Sequence, residues 1–559
     1  MDNRLLLWAS LGLIFLMTYQ AWQRDYGPPP AAASAQSVEE AATSSELPAA
    51  LPPATQTPSA TPASTLPSAP EVSAQVAQPV IGDRALPPVR VITDVYELLI
   101  DPAGAQLYDV RLRGYPVQKD QPDVLVSLLS KQPAELDLIQ TGLVRTDKGA
   151  APNHEKVFAA ERAEYQMSDG SDTLVVPLTW TDASGLRATK TFTFTRGRFD
   201  IAVALTVDNG TSQPVSAAPY VQVQRQYTPP KRSMFNVDSY SFVGSVIFNG
   251  EGTEKLKHKD LQKEPLNFQT ADGWIATIEH HFVSAVVPTP GALSRYSSRV
   301  GADGRELISA VMPTRTINPG GQDTFTHTVF VGPKLQSQLE EVAPGLVRTV
   351  DYGILSVLSQ PLFWILDRIH SLVGNWGLAI ILMTILVKLA FYPLAEKSGR
   401  SMAKMRKLAP RLKTIQERYK DDRQAQSREM MNLYKNEGVN PMASCLPLLL
   451  QMPVFLALYW VLIESVELRQ APFALWIDDL SSRDPLFILP LIMAGAMFIQ
   501  TKLNPPPADP TTAKVMTIMP LMMSVFFAFF PAGLVLYWVV NTVLSVLQQW
   551  RINRVVGAG

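Results

Sequence analysis

The sequence predicts a membrane α-helical bundle of six spans, five of them forming the core, joined to a large all-β sandwich domain. Three observations predict it. Apolar residues crowd the first 20 positions and the last 200, whereas the middle reads as a water-soluble protein. Stretches of that middle alternate apolar and polar residues with period two. Basic residues gather on one side of the apolar segments. The chain has 559 residues, too many for one ordinary domain, and a net charge of −1 that offers no footing for nucleic acid. Its single cysteine, Cys445, excludes an internal disulfide. Lying in an apolar run, Cys445 reads as a small buried hydrophobe rather than a reactive thiol.

Residues 1–24 hold an apolar run, Leu5 to Tyr19, behind Arg4. This is either a signal-peptide core or an anchor helix. Ala31-Ala32-Ala33 is a loose cleavage site, but it lies far from the apolar core and behind Trp22, Arg24 and Tyr26, so an uncleaved anchor is favoured. Residues 25–86 form a tether. Of the 50 residues from 31 to 80, 35 are Ala, Pro, Ser or Thr, and such a segment cannot bury enough apolar surface to offset its ordering entropy. Residues 87–340 carry the β signal. Thr191-Phe192-Thr193-Phe194-Thr195 alternates, as do Ile201, Val203, Leu205 and Val207, with Asp208-Asn209-Gly210 as a turn. An antiparallel sandwich fits this pattern. Residues 341–374 are apolar on one side and polar on the other, which suits either a helix in the membrane interface or one packed under the β domain.

The remaining spans are expected at 375–394, 441–465, 486–502, 514–530 and 531–556, the last running into a basic C-terminus. Several are near the minimum for crossing a hydrocarbon core of about 30 Å, which implies a thinned bilayer or little tilt. Between them lie a cytoplasmic hairpin (395–440), an outer connection (466–485) and a short cytoplasmic loop (503–513). Residues 395–440 contain 12 Lys/Arg and 6 Asp/Glu, and the C-terminus carries Arg551 and Arg554. The positive-inside rule puts these segments and both termini in the cytoplasm and the β domain outside, in a bacterium the periplasm.

Polar side chains interrupt the apolar spans. By helical rise, Lys388 and Gln451 each lie roughly 9 Å from the cytoplasmic face, and Thr384, Ser524 and Asn541 roughly 13–15 Å. The outer half of the bilayer is nearly pure hydrocarbon. A charge inside a span tends to face a water-filled cavity or the bundle interior. The favoured reading is a wet vestibule open to the cytoplasm, the alternative a Lys388 that snorkels to the headgroups. In the hairpin, Met402, Met405, Leu408, Leu412 and Ile415 recur at helical spacing among Arg406, Lys407, Arg411 and Lys413, with Asp421-Asp422 as the turn. The Met seam is either an adaptable surface for apolar clients or an ordinary hairpin core, the latter favoured, with a basic exterior suited to anionic lipid. Pro410 is expected to kink the first arm. Pro447, Pro453 and Pro520 free backbone carbonyls within the spans, and Pro531-Ala532-Gly533 makes a tight outer turn.

No P-loop is present, the six His show no metal-ligand spacing, and no cofactor is expected. His280-His281 beside Glu279 is the one acid–base cluster, and it reads better as part of a strand or turn. A secondary transporter would use the same vestibule, but it should show paired repeats with interrupted helices, and none is visible. A membrane-tethered sugar-modifying enzyme needs a convergent acid–base pair. A scaffold for assembly is a third reading.

Two blocks carry a resemblance. Met430-Met431-Asn432-Leu433-Tyr434-Lys435, continuing through Val439-Asn440-Pro441 to Cys445-Leu446-Pro447-Leu448-Leu449-Leu450-Gln451-Met452-Pro453-Val454-Phe455, resembles the signature of the YidC/Oxa family of membrane insertases. So does Phe530-Pro531-Ala532-Gly533-Leu534-Val535-Leu536-Tyr537-Trp538. The run Ser465 to Phe473 resembles the outer connection of gram-negative members, and the anchor, tether and β domain match their layout. The resemblance implies a non-enzymatic insertase and chaperone of the inner membrane, with a hydrophilic groove of five helices open to the cytoplasm. It implies newly made membrane proteins as clients, contact with lipid, and the Sec translocon, ribosome or signal recognition pathway as partners. It places the groove's positive charge at Lys388, where many bacterial relatives carry Arg. Lys keeps the charge but loses the planar fork. The resemblance also makes Thr384 a groove residue and turns Tyr537 and Trp538 toward the client. The β domain resembles a sugar-mutarotase-like sandwich, with nothing to argue that sugar chemistry survives.

Overall fold

The computed structural model describes residues 86–147, 149–229, 241–420, 422–438, 446–503 and 510–557. The expected N-terminal anchor, nearly all of the tether, and Cys445 lie outside them, as do most of the 503–513 loop and the side chains of Met402, Arg406 and Pro447.

The β domain holds three sheets. Nine strands make the largest, from Thr253–Leu256 at one edge, through Gln322–Pro333, Asp200–Asn209 and Leu186–Thr195, to Ala159–Ala160 at the other. The expected alternation is realised there: Ile201 pairs with Phe194 and Val203 with Phe192, and all four side chains are buried. Thr191 and Thr193 fall on the opposite face of the same strand. The 208–210 turn needs Gly210 because a Cβ there would lie 2.6 Å from the Gly185 carbonyl oxygen. Strand Val215–Gln226 centres a second sheet of six strands and also pairs with Asp137–Arg145. A third sheet, of five strands, is built mainly from Val89–Ile92, Tyr96–Asp101, Gln106–Gln118 and Gln121–Leu128. Its buried Tyr96 donates its single hydroxyl proton between the carbonyl oxygens of Phe199 and Val331, each 2.7 Å away, which stitches it to the largest sheet. The third sheet is therefore tied to the largest one.

After the β domain come α1 (Ser356–Val373), α2 (Trp376–Ala390), α3 (Tyr392–Arg418), α4 (Arg423–Asn436), α5 (Leu446–Glu464), α6 (Ile488–Leu503), α7 (Pro510–Phe527) and α8 (Ala532–Gly557). The α1 helix buries Ser359, Phe363 and Leu366, and the Ser359 hydroxyl donates to the Ala457 carbonyl of α5 at 3.1 Å. Its other side exposes Val357, Trp364 and Leu372. The buried face of α1 thus packs on α5 of the helical bundle, and its opposite face is apolar and exposed.

The α2 helix ends at Ala390, before the apolar run does. Pro393 sits in the first turn of α3, where its missing N–H costs nothing, and the two helices meet at 64°. Lys388 therefore lies in the last turn of α2. The α3 helix continues through Pro410. Asp422 caps α4 by accepting from the backbone N–H of Gln424 and Ala425, and Asp421, the other residue of the expected turn, lies outside the described residues. Among the described residues one helix, Ala532–Val555, is long and apolar enough to cross a membrane alone, and the bent α2–α3 pair passes as a second. Gln451–Glu464, Ile488–Leu503 and Val515–Phe527 are shorter apolar helices. The outward faces of α6 and α7 carry exposed Leu491, Leu521, Met522 and Val525.

Candidate functional site

Three helices contribute to one polar chain. The Lys388 ammonium of α2 donates to the Ser545 hydroxyl of α8 at 2.8 Å. Ser545 donates in turn to the Asn541 carbonyl oxygen one helical turn earlier, also at 2.8 Å. The Asn541 side-chain oxygen accepts from the Gln451 amide of α5. Lys388, Gln451 and Asn541, singled out from sequence, thus come together: Ser545 links Lys388 to the Asn541 main chain, and Gln451 bonds the Asn541 side chain directly. Sequence reasoning missed Ser545, although its position four residues after Asn541 puts both on one helix face. Thr384 is buried one turn from Lys388, and its hydroxyl donates to Ile380 of its own helix at 2.6 Å. Ser524 stands apart: it donates to the Pro490 carbonyl of α6 at 2.6 Å.

Aromatic rings sit beside the chain. Trp538 is half-buried and meets Phe455 of α5 edge-on at 4.6 Å and Phe527 of α7 at 5.1 Å. Tyr537 is fully buried against Phe455. The two neighbours expected to face a client are therefore placed differently, Trp538 toward the edge of the bundle and Tyr537 inside it.

On the hairpin, Lys407, Arg411 and Lys413 are exposed and Met405 is half-buried. Arg411 pairs with Glu437 at 2.6 Å. Ala403 and Leu408 are buried, and α3 packs along the end of α8, where a Cβ on Gly399 would lie 2.6 Å from the Ile552 Cδ1. The basic groups remain in solvent while the arm is held to the bundle.

At the opposite end the 466–485 connection is bonded to the first turns of α2 and α8. Asn375 caps α2 through the Leu378 N–H and donates its amide to the Phe473 carbonyl at 2.9 Å. The N–H groups of Ala532 and Gly533, at the start of α8, donate to Ser482 and Leu480. Buried Asp484 accepts from the indole N–H of Trp476 and the backbone N–H of Leu486, both at 3.0 Å, and from Leu489 N–H at 2.7 Å. The connection and the start of α6 are thereby knotted together. Arg469 reaches the β domain, donating to the Pro116 carbonyl at 2.8 Å. Burial pushes the Glu467 carboxyl of this connection up to about 7.

His280 and His281 lie at the same junction. The His281 Nε2 is 2.9 Å from the Ile463 carbonyl oxygen at the end of α5, and Lys334 donates to the His280 carbonyl at 2.9 Å. Burial, with its neighbours' charges, pushes His280 down to about 2 and His281 to about 4. Both are neutral near pH 7 and join the two parts of the chain structurally.

The comparisons with known proteins follow this division. Residues 88–365 match the family described as YidC periplasmic domain, and residues 368–558 match 60Kd inner membrane protein. A protein of Thioalkalivibrio sulfidiphilus named membrane protein insertase YidC is 45% identical, covering 99% of this chain and 98% of that protein. The chain belongs to the YidC family of membrane protein insertases. Insertases YidC of Nitrosococcus oceani, 44% identical over 99% of both chains, and of Methylococcus capsulatus, 43% identical over 99% of this chain and 98% of that one, are similar along the same span. These full-length relatives are insertases rather than enzymes. A crystal structure of an active YidC insertase with its first transmembrane domain resolved is 20% identical, covering 83% of this chain and 92% of that one with a TM-score of 0.39.

Proposed function

We propose that this chain inserts other membrane proteins through a polar groove that opens toward the cytoplasm, working alone or beside the Sec translocon. The observation that carries the proposal is the polar chain from Lys388 to Gln451, set among helices whose outward surfaces are apolar. In this reading the chain spans the bilayer six times with both termini in the cytoplasm, and the β domain is periplasmic. The basic hairpin draws in an acidic client tail, and the Lys388 charge receives it. Trp538 and the exposed Phe526 ring of α7 line the path along which the client's apolar helix enters lipid, driven by about 0.8 kcal/mol per buried CH₂. The knot at Asp484 and Phe473 closes the outer end. No nucleotide is required.

A photo-crosslinking amino acid at position 538 of the full chain tests this. A ribosome-arrested single-span client should cross-link strongly there and weakly from Leu372, exposed at the end of α1 nearer the outer connection. Equal capture at both positions, or none at 538, would contradict the route.

A further inference from the structure

We infer that Ser545 is a positioning residue that fixes the Lys388 ammonium against the last helix so that it meets the carboxylates of an incoming client tail. The inference rests on the insertase reading above and names what orients its charge. Lysine carries a compact charge on a flexible four-carbon stem, with no plane of its own to set direction. An acceptor must supply that direction, and Ser545 is 2.8 Å from the ammonium nitrogen. The serine is itself oriented. Its proton is committed to the Asn541 carbonyl, which leaves its oxygen lone pairs free to face Lys388. The Asn541 side chain, one turn away on the same face of α8, accepts from Gln451 of α5, so the helix that carries Ser545 is itself tied to α5 beside the charge. The acceptor is also neutral. A carboxylate at 545 would cancel the charge, whereas a hydroxyl takes one of three ammonium donors and leaves two for the client. Tyr537, Asn541 and Ser545 follow one another at four-residue spacing, so one face of α8 carries both a buried ring and the anchor of the charge.

Insertion into liposomes by the full-length protein tests this with two clients that differ only in an acidic or a neutral tail. The variants are Ser545→Ala, Lys388→Ala, the double variant, and the isosteric pair Ser545→Thr and Ser545→Val. Ser545→Ala should lower insertion of the acidic-tailed client by about tenfold, the scale of one hydrogen bond to a charged group. It should leave the neutral-tailed client unchanged and add nothing in the Lys388→Ala background. Ser545→Thr should restore insertion and Ser545→Val should not, a contrast that holds even where alanine impairs folding. Equal loss for both clients, or a loss that adds to that of Lys388→Ala, would make Ser545 a packing residue and overturn the inference. Normal insertion by Ser545→Ala beside a defective Lys388→Ala would overturn it while sparing the groove charge. Normal insertion by Lys388→Ala would overturn both.

Discussion

Asp484 offers the sharpest prediction about how the 466–485 connection is held against α6. Its carboxylate is 1% exposed and accepts three hydrogen bonds, from Trp476, Leu486 and Leu489. Two of the donors are backbone groups, Leu486 just before α6 and Leu489 in its first turn, where helical N–H groups lack intrahelical partners. A hydrogen bond to a charged acceptor contributes about 1.5–3 kcal/mol, and a buried donor left unpaired costs about 1–3 kcal/mol. The three bonds share one carboxylate, so their losses are not additive. Asp484→Ala should therefore cost about 4 kcal/mol locally, and Asp484→Asn about 2 kcal/mol, because the amide nitrogen would oppose one N–H donor. The loss should appear as local opening rather than global unfolding, since the β domain has its own core. Hydrogen exchange in proteoliposomes reads it directly. Amides from Trp476 to Ile492 should exchange faster by roughly two to three orders of magnitude in the alanine variant, at ~1.4 kcal/mol per tenfold. Strands such as Asp200–Asn209 should keep their rates. Wild-type exchange in the connection would refute the knot, and acceleration everywhere would refute its local character.

Three further outcomes are expected. A methyl at Gly377 would overlap the Phe473 ring, so Gly377→Ala should lower stability by about 1–3 kcal/mol in thermal unfolding, and Phe473→Ala in the same chain should relieve the clash. Asp137, in the β domain, is pushed up to about 7 by burial, against the opposing effect of Arg225. The folded chain then holds a proton that the unfolded chain releases near its ordinary value of 3.8, so this group's contribution to stability falls as pH rises from about 4 to 7 and is level above. Asp137→Asn should remove that slope, and melting curves at pH 5 and pH 8 that fall in parallel for both proteins would contradict the assignment. A spin label at Trp364, on the exposed apolar side of α1, should be relaxed by lipid-dissolved oxygen rather than by an aqueous reagent. The opposite preference would remove α1 from the interface.

Much of the β domain was legible because a strand with one buried face writes period two into the chain, as Leu186–Thr195 and Asp200–Asn209 do. Alternation says nothing about which sheet a strand joins, so the third sheet and its Tyr96 stitch were not legible. Helix ends were read less well than helix existence. The apolar run to Leu394 hides the break at Phe391, because hydropathy does not register that Pro393 begins a new helix. In the site, Lys388, Gln451 and Asn541 stood out as costly polar groups in apolar surroundings. Ser545 did not, since a lone serine in a helix satisfies itself on its own backbone as readily as it bridges helices. Thr384 shows that ambiguity resolved toward the backbone, and Ser545 shows it serving both partners. Tyr537 and Trp538 are adjacent in sequence, yet about 100° apart around α8, which is why one is buried and the other sits at an edge.

The central claim, a positive charge in the groove that receives the client, is tested most directly by insertion into liposomes containing the purified full-length protein. The client is a small acidic-tailed membrane protein made in vitro, and protease protection is the readout. Wild type and Lys388→Arg should insert it, and Lys388→Ala should fall by about tenfold or more. Equal insertion by Lys388→Ala and wild type would contradict the claim and leave the apolar slide along α5 and α7 to drive insertion alone.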